Sequence, residues 1–121
     1  MDRVVADLVF FLSARLDEDG AAARAVKQSE DSGDMSARIL ADVAAKRGLL
    51  RLVECQQRNA DAEDFMVRGP ATVSLAALQA VLRHLATAYI GHPDFDPEWE
   101  PNEDEYEPDE RFSARSRDYI A

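Results

Sequence analysis

The sequence predicts an all-α protein: an antiparallel three-helix bundle, or a long helical hairpin plus a third helix, followed by an extended acidic C-terminal tail. Three stretches repeat apolar residues at three- and four-residue steps, the spacing of one face of an α-helix. The 121 residues include only five Gly, five Pro and 7% aromatics, which argues against β-sandwiches and barrels. We expect a helical domain over residues 1–100 and an acidic, disordered tail over residues 101–121.

The first helix is expected over about residues 2–27, and it can bend at Gly20. Its apolar stripe consists of Val5, Leu8, Val9, Leu12 and Leu16, widened by Val4 and Phe11. The polar stretch 28–33 that follows contains Ser, Asp and Gly and is typical of a turn.

The second helix is expected to begin at an Asp34 N-cap and to continue to Asn59 or Ala62. Its apolar face is predicted to contain Ile39, Leu40, Val43, Leu50 and Val53, with Leu49 and Leu52 beside it. The first helix carries Arg15, Asp17, Glu18 and Asp19, and the second carries Lys46, Arg47 and Arg51. These charges are mostly opposite in sign, so we expect pairs between the helices or solvated faces, with a partner-facing charged groove as the alternative.

The Gly69-Pro70 pair predicts a loop or short strand-like connection over residues 63–71, from which Phe65 packs inward. A third helix then begins at a Thr72 or Ser74 cap and ends at Gly91, before Pro93. Its expected buried face consists of Leu75, Leu78, Leu82, Leu85 and Tyr89.

Charge is unevenly distributed along the chain, whose net value is −10. Residues 1–93 hold 13 acids and 11 bases, whereas residues 94–121 hold 11 acids and three bases. This balance disfavours direct binding to nucleic acid or to an anionic membrane, and it favours a protein partner with a basic surface. The single cysteine, Cys55, and the lack of a run of about 20 apolar residues predict a soluble cytoplasmic protein.

Three segments carry a pattern that we associate with one family. They are residues 11–19, residues 37–47 and residues 82–99, and the last is the most specific because a helix ends in His92-Pro93-Asp94-Phe95 before Trp99. In these segments the chain resembles short actinobacterial and actinophage proteins described only as a domain of unknown function. The resemblance implies a helical core that includes Phe95 and Trp99, and it implies no activity. Many relatives carry a Cys-containing insertion, whereas here Cys55 stands alone, and relatives tend to end soon after the Trp.

Candidate catalytic residues are few. His84 lies beside the apolar face of the third helix and is expected to be a boundary residue, while His92 belongs to a helix-ending turn. Neither lies in a metal-ligand motif, Cys55 is expected to pack as a small apolar residue, and we predict no cofactor.

The leading functional hypothesis is a non-enzymatic helical interaction module. Aromatic residues spaced among acids can dock on a basic, apolar groove of a partner protein. The candidate partner-binding residues are Trp99, Glu103, Asp104, Glu105, Tyr106, Glu107 and Phe112. The alternatives are an acidic nucleic-acid mimic that inhibits a DNA-binding protein and a small enzyme that uses His84 or His92. A helical hairpin can also pair with a second copy, so a homodimer is a further possibility.

Overall fold

The computed structural model describes residues 2–26 and 33–102, which form a bundle of three α-helices. They are α1 (Arg3–Val26), α2 (Gly33–Ala60) and α3 (Phe65–Ala86). Two short 3₁₀ helices follow at Thr87–Tyr89 and Pro97–Trp99, and the described part of the chain contains no strand. The all-α prediction is confirmed. Residues 28–32 of the predicted turn and the tail residues 103–121 lie outside the described residues. Gly33, the last residue of that predicted turn, begins α2, so Asp34 lies in the first turn of the helix and is not its N-cap.

Contacts along the helices establish their directions. Asp17 near the middle of α1 pairs with Arg47 of α2, while Asp2 before α1 lies beside Ala60 at the end of α2. These two helices are therefore antiparallel, and one predicted pair of opposite charges does form between them. After α3, the Tyr89 hydroxyl reaches Asp19, so α3 runs in the same direction as α1.

All three helices contribute apolar side chains to one core. Fully buried side chains such as Val5, Leu8, Val53 and Leu82 each stabilise the fold by about 1.5–3 kcal/mol. The other buried apolar residues of the helices are Phe11, Leu12, Leu16, Ala23, Val43, Leu50, Ala71, Leu75 and Ala86.

Ile39 of the predicted α2 face is exposed, and so is Leu52, which was expected beside that face. Leu52 precedes the buried Val53 by one residue, and a helical step of about 100° turns it outward. Ile39 lines an open groove between the end of α1 and the start of α2, together with Val26 and Met35. The assignment of Ile39 to the buried face was therefore wrong.

The start of α3 also differs from the prediction, because residues 65–71 are helical. Asp64 is the N-cap: its backbone is extended, and its Oδ1 accepts a hydrogen bond from the Met66 N–H at 2.9 Å. Pro70 lies in the second turn and leaves the Met66 carbonyl without its helical donor, but Met66 is exposed, so water can replace that donor. Phe65 does not pack inward; it is 67% exposed and lies against the Arg68 guanidinium.

One segment of the described chain, Phe65–Tyr89, is long and apolar enough to cross a membrane by length and composition. The expectation that no segment reaches this length was wrong. A single such helix is weak evidence for a span, because the core helix of a soluble bundle meets the same criterion. Ala71, Leu75 and Leu82 of α3 are buried in the bundle, but only 17% of the apolar window of this segment is buried.

Candidate functional site

After α3 the chain turns back and covers one side of α1; we call residues 90–100 the C-terminal cap. Short-range hydrogen bonds shape it, from the His92 N–H to the Tyr89 carbonyl at 2.8 Å and from the Phe95 N–H to the His92 carbonyl at 3.0 Å. Asp96 then accepts from the Glu98 N–H at 2.9 Å, and Pro97 occupies the first turn of the short helix. Both residues suit a helix start, so the local sequence explains this turn.

Phe11 of α1 is the centre of an aromatic cluster under the cap. Its ring centroid lies 5.0 Å from that of Trp99, 6.2 Å from Phe95 and 6.1 Å from Tyr89. Phe95 and Trp99 meet edge to face at 5.7 Å, and Trp99 is only 8% exposed. Such aromatic pairs are worth about 0.5–1.5 kcal/mol beyond the area they bury. The expectation that Phe95 and Trp99 belong to the core is confirmed.

Arg83 of α3 holds the end of the cap through backbone carbonyls. Its Nε donates to the Trp99 carbonyl at 3.1 Å, and its Nη2 donates to the Glu100 carbonyl at 3.0 Å. These hydrogen bonds are charge-assisted and therefore stronger than bonds between neutral groups, and they satisfy backbone carbonyls of an irregular segment. The cap is therefore attached to α1 by its aromatic rings and to α3 by Arg83.

Arg15 is a buried cation, 7% exposed, between α1 and the cap. Its Nη2 pairs with Glu18 at 3.2 Å, and its Nη1 contacts the His92 ring and lies 3.8 Å from Asp94. Nε of Arg15 is buried with no hydrogen-bond partner among the described residues.

Tyr89 and Asp19 form a second polar contact near this cluster. The Tyr89 hydroxyl donates to Asp19 Oδ2 at 2.5 Å. Burial raises the pKa of the Tyr89 phenol well above its ordinary value of about 10, and the hydrogen bond to the Asp19 carboxylate raises it further. The phenol is consequently a donor across the neutral pH range.

A groove of about 290 Å³ lies between α1 and the cap. Its floor is aromatic, because Phe11 and Trp99 line it, and Phe10 at its side is 79% exposed. The remaining lining residues are Asp7, Ala14, Arg15, Asp94 and Asp96. Three carboxylates thus surround the groove against one buried cation, so its potential is negative. We call it the acidic aromatic groove.

Of the predicted partner-binding residues, only Trp99 lies within the described residues. Trp99 lies in the core and lines the acidic aromatic groove, whereas Glu103, Asp104, Glu105, Tyr106, Glu107 and Phe112 lie outside the described residues. His84 is exposed on α3, while His92 is half-buried in the cap. No group of three His, Cys, Asp or Glu suited to a metal ion occurs within residues 2–26 and 33–102.

Sequence reasoning missed Phe10 and Asp7. Phe10 lies between Val9 and Phe11 in the sequence, but at 100° per residue it falls on the side of α1 opposite the apolar stripe. An aromatic residue on the polar side of an amphipathic helix is a usable signal of a binding surface. Asp94 and Asp96 of the cap could be placed beside Phe10 only once the cap was known to fold back on α1.

Comparison with known proteins matches most of the sequence to one family. A family described as "Family of unknown function (DUF6221)" matches residues 5–101. The chain belongs to the DUF6221 family. The match includes nearly all of the three helices and the entire C-terminal cap of this DUF6221 member, and it ends before the acids at 103–107. No curated protein and no solved structure matches the chain.

Proposed function

We propose that this DUF6221 member is a non-enzymatic interaction module that binds a basic, partly apolar segment of a partner protein in the acidic aromatic groove. One observation carries the proposal: the exposed Phe10 ring lies beside three carboxylates, Asp7, Asp94 and Asp96. An exposed aromatic ring on a helix, beside an excess of carboxylates, suits a peptide that carries both apolar and basic residues.

The chemistry of the groove selects for arginine or lysine. A guanidinium can stack on the Phe10 ring while it pairs with a carboxylate of Asp7 or Asp96, and both contacts are favourable for a cation. When a partner covers the Phe10 side chain, the burial stabilises the complex by about 1.5–3 kcal/mol. Acidic segments are repelled by the same carboxylates, so the groove discriminates by charge.

The contacts of the two histidines support a binding role over the small-enzyme alternative. Nδ1 of His92 accepts from the Asp94 N–H at 3.0 Å while the ring also contacts Arg15, so the imidazole is engaged in holding the cap. His84 lies on α3 and does not line the acidic aromatic groove. The nucleic-acid mimic requires acids arrayed along a folded face at phosphate-like spacing, and it stays a prediction. The cytoplasmic location and the actinobacterial or phage origin stay predictions.

Selection of displayed peptides against the full-length chain tests the proposal. The probes are individual synthetic peptides taken from the selection, and Trp99, the single tryptophan, reports binding by fluorescence. We expect enriched peptides that combine Arg or Lys with an apolar residue and whose affinity falls as salt rises.

The matched variants are Phe10→Ser in the groove and Leu52→Ser on the exposed side of α2. Phe10→Ser should weaken binding at least about tenfold, which is about 1.4 kcal/mol, while Leu52→Ser should leave binding unchanged. Peptides that bind both variants equally would show that the tail or another acidic surface attracts them, and the proposed site would then be wrong. Enrichment of neutral or acidic peptides would also contradict it.

A further inference from the structure

The face of α3 that points away from the bundle is uncharged over most of its length. The buried face contains Ala71, Leu75, Leu82 and Ala86. At 100° per residue, Met66, Val73, Ala77 and His84 lie on the opposite side. Met66 is 77% exposed and Val73 is 74% exposed. We call this surface, completed by Pro70, Ala80 and Val81, the outer α3 face.

This composition is unusual for a helix at the surface of a bundle. Such a helix normally carries polar and charged residues on its outward side, and one that is apolar all round is normally covered. No Asp, Glu, Lys or Arg occurs between Arg68 and Arg83. By contrast, the exposed side of α2 carries Arg51, Glu54 and Arg58. The outer α3 face is therefore a surface that another apolar surface should cover.

We propose that this occupant is a second copy of the chain, whose α3 packs antiparallel on the first around a two-fold axis between Val73 and Ser74. An uncharged face can meet itself without burying any charge, although copies with a net charge of −10 repel elsewhere. The two-fold axis places Met66 of each copy against Val81 of the other, and Pro70 against Ala77.

Charge at the ends of α3 favours the antiparallel orientation. Glu63 and Asp64 precede the helix, and Arg83 and His84 lie in its last turn. In the proposed register the acidic start of one α3 lies beside the basic end of the other. The helix dipoles are then also opposed, which favours this arrangement over a parallel pair.

The size of the face limits the strength of the dimer. A helix of 22 residues is about 33 Å long, so one helix pair buries less area than the ~1,600 Å² of a standard interface. We expect a dimer that dissociates at micromolar concentrations. This inference does not depend on the acidic aromatic groove, because Phe10 lies on α1 beside the cap.

A lipid surface is the competing occupant, and the bundle favours it less. The opposite side of α3 is committed to the protein core, and α2 beside it exposes charges, so only a stripe is apolar. Binding on an anionic membrane surface also needs a basic face, which a chain of net charge −10 does not offer.

Sedimentation of the full-length chain over a range of concentrations tests the inference. We expect a monomer–dimer equilibrium that Val73→Asp abolishes, with the dissociation constant raised at least about tenfold, whereas Leu52→Asp on α2 should leave it unchanged. Both side chains are exposed, so both variants should fold, and circular dichroism verifies this.

Chemical crosslinking tests the two-fold axis itself. In a Cys55→Ser background, Val73→Cys should be joined to its copy by a short bismaleimide, and Leu52→Cys should not. A wild-type chain that is monomeric at every concentration would overturn the inference. So would a dimer that survives Val73→Asp, or a monomer that floats with neutral phosphatidylcholine vesicles, which would assign the face to lipid.

Discussion

At the scale of single residues, Arg15 and Tyr89 show how the cap and α1 are joined by polar groups as well as by rings. Arg15 is buried, yet the carboxylates that compensate its charge, Glu18 and Asp94, are exposed. Removing a charge from water costs several kcal/mol, and partly exposed partners repay it incompletely. The burial of Arg15 is therefore weak evidence for stability.

Tyr89 offers a residue-scale test through its ionisation. Burial and the Asp19 carboxylate raise its pKa, so above pH ~10 the unfolded chain loses this proton while the folded chain keeps it. The folded state then binds more protons, and stability falls as the pH rises further. In an ultraviolet titration of the three tyrosines, we expect one late phenol that Tyr89→Phe removes.

Asp19→Asn is the control for the cause of the shift. It removes the carboxylate but leaves the burial, so the late phenol should ionise earlier than in the wild type and still later than a free tyrosine. Titration of Tyr89 together with the other two tyrosines in the wild type would contradict the described contact.

At the scale of elements, the periodicity of apolar residues predicted all three helices, and it failed where local signals conflicted. For α3 the Gly69-Pro70 pair favoured a loop. The helix starts earlier because Asp64 caps it and because water can bond to the Met66 carbonyl that Pro70 leaves without a donor. The inward position of Phe65 was inferred from its apolar character alone. The direction of the Phe65 side chain is set by its position on α3, and the prediction placed Phe65 in a loop before that helix.

Asp64 provides the element-scale prediction. Asp64→Ala removes the side-chain acceptor of the Met66 N–H and should cost about 1 kcal/mol of unfolding free energy, as the loss of an N-cap does. The neighbouring exposed Glu63→Ala is the matched control and should change stability by less than about 0.5 kcal/mol. Equal effects in urea denaturation would mean that the cap does not define the start of α3.

At the scale of the whole molecule, one bundle presents two surfaces of different chemistry. The acidic aromatic groove lies between α1 and the cap, and the outer α3 face is apolar and uncharged. The excess of acid in the sequence predicts a basic partner, with Trp99 and tail residues as candidate contacts, and the tail beyond residue 102 lies outside the described residues. A groove made by segments more than 80 residues apart, Asp7 and Asp94 for example, has no local sequence signal.

The docked cap is the feature on which the acidic aromatic groove depends, and Trp99 reports it directly. As the single tryptophan, packed on Phe11 and Phe95, it should show blue-shifted emission and protection from acrylamide in the isolated full-length chain. Phe11→Ala should shift that emission to the red, while Phe10→Ala should leave it nearly unchanged. Red-shifted, freely quenched emission from the wild type would show that the cap is not docked and that the groove does not exist.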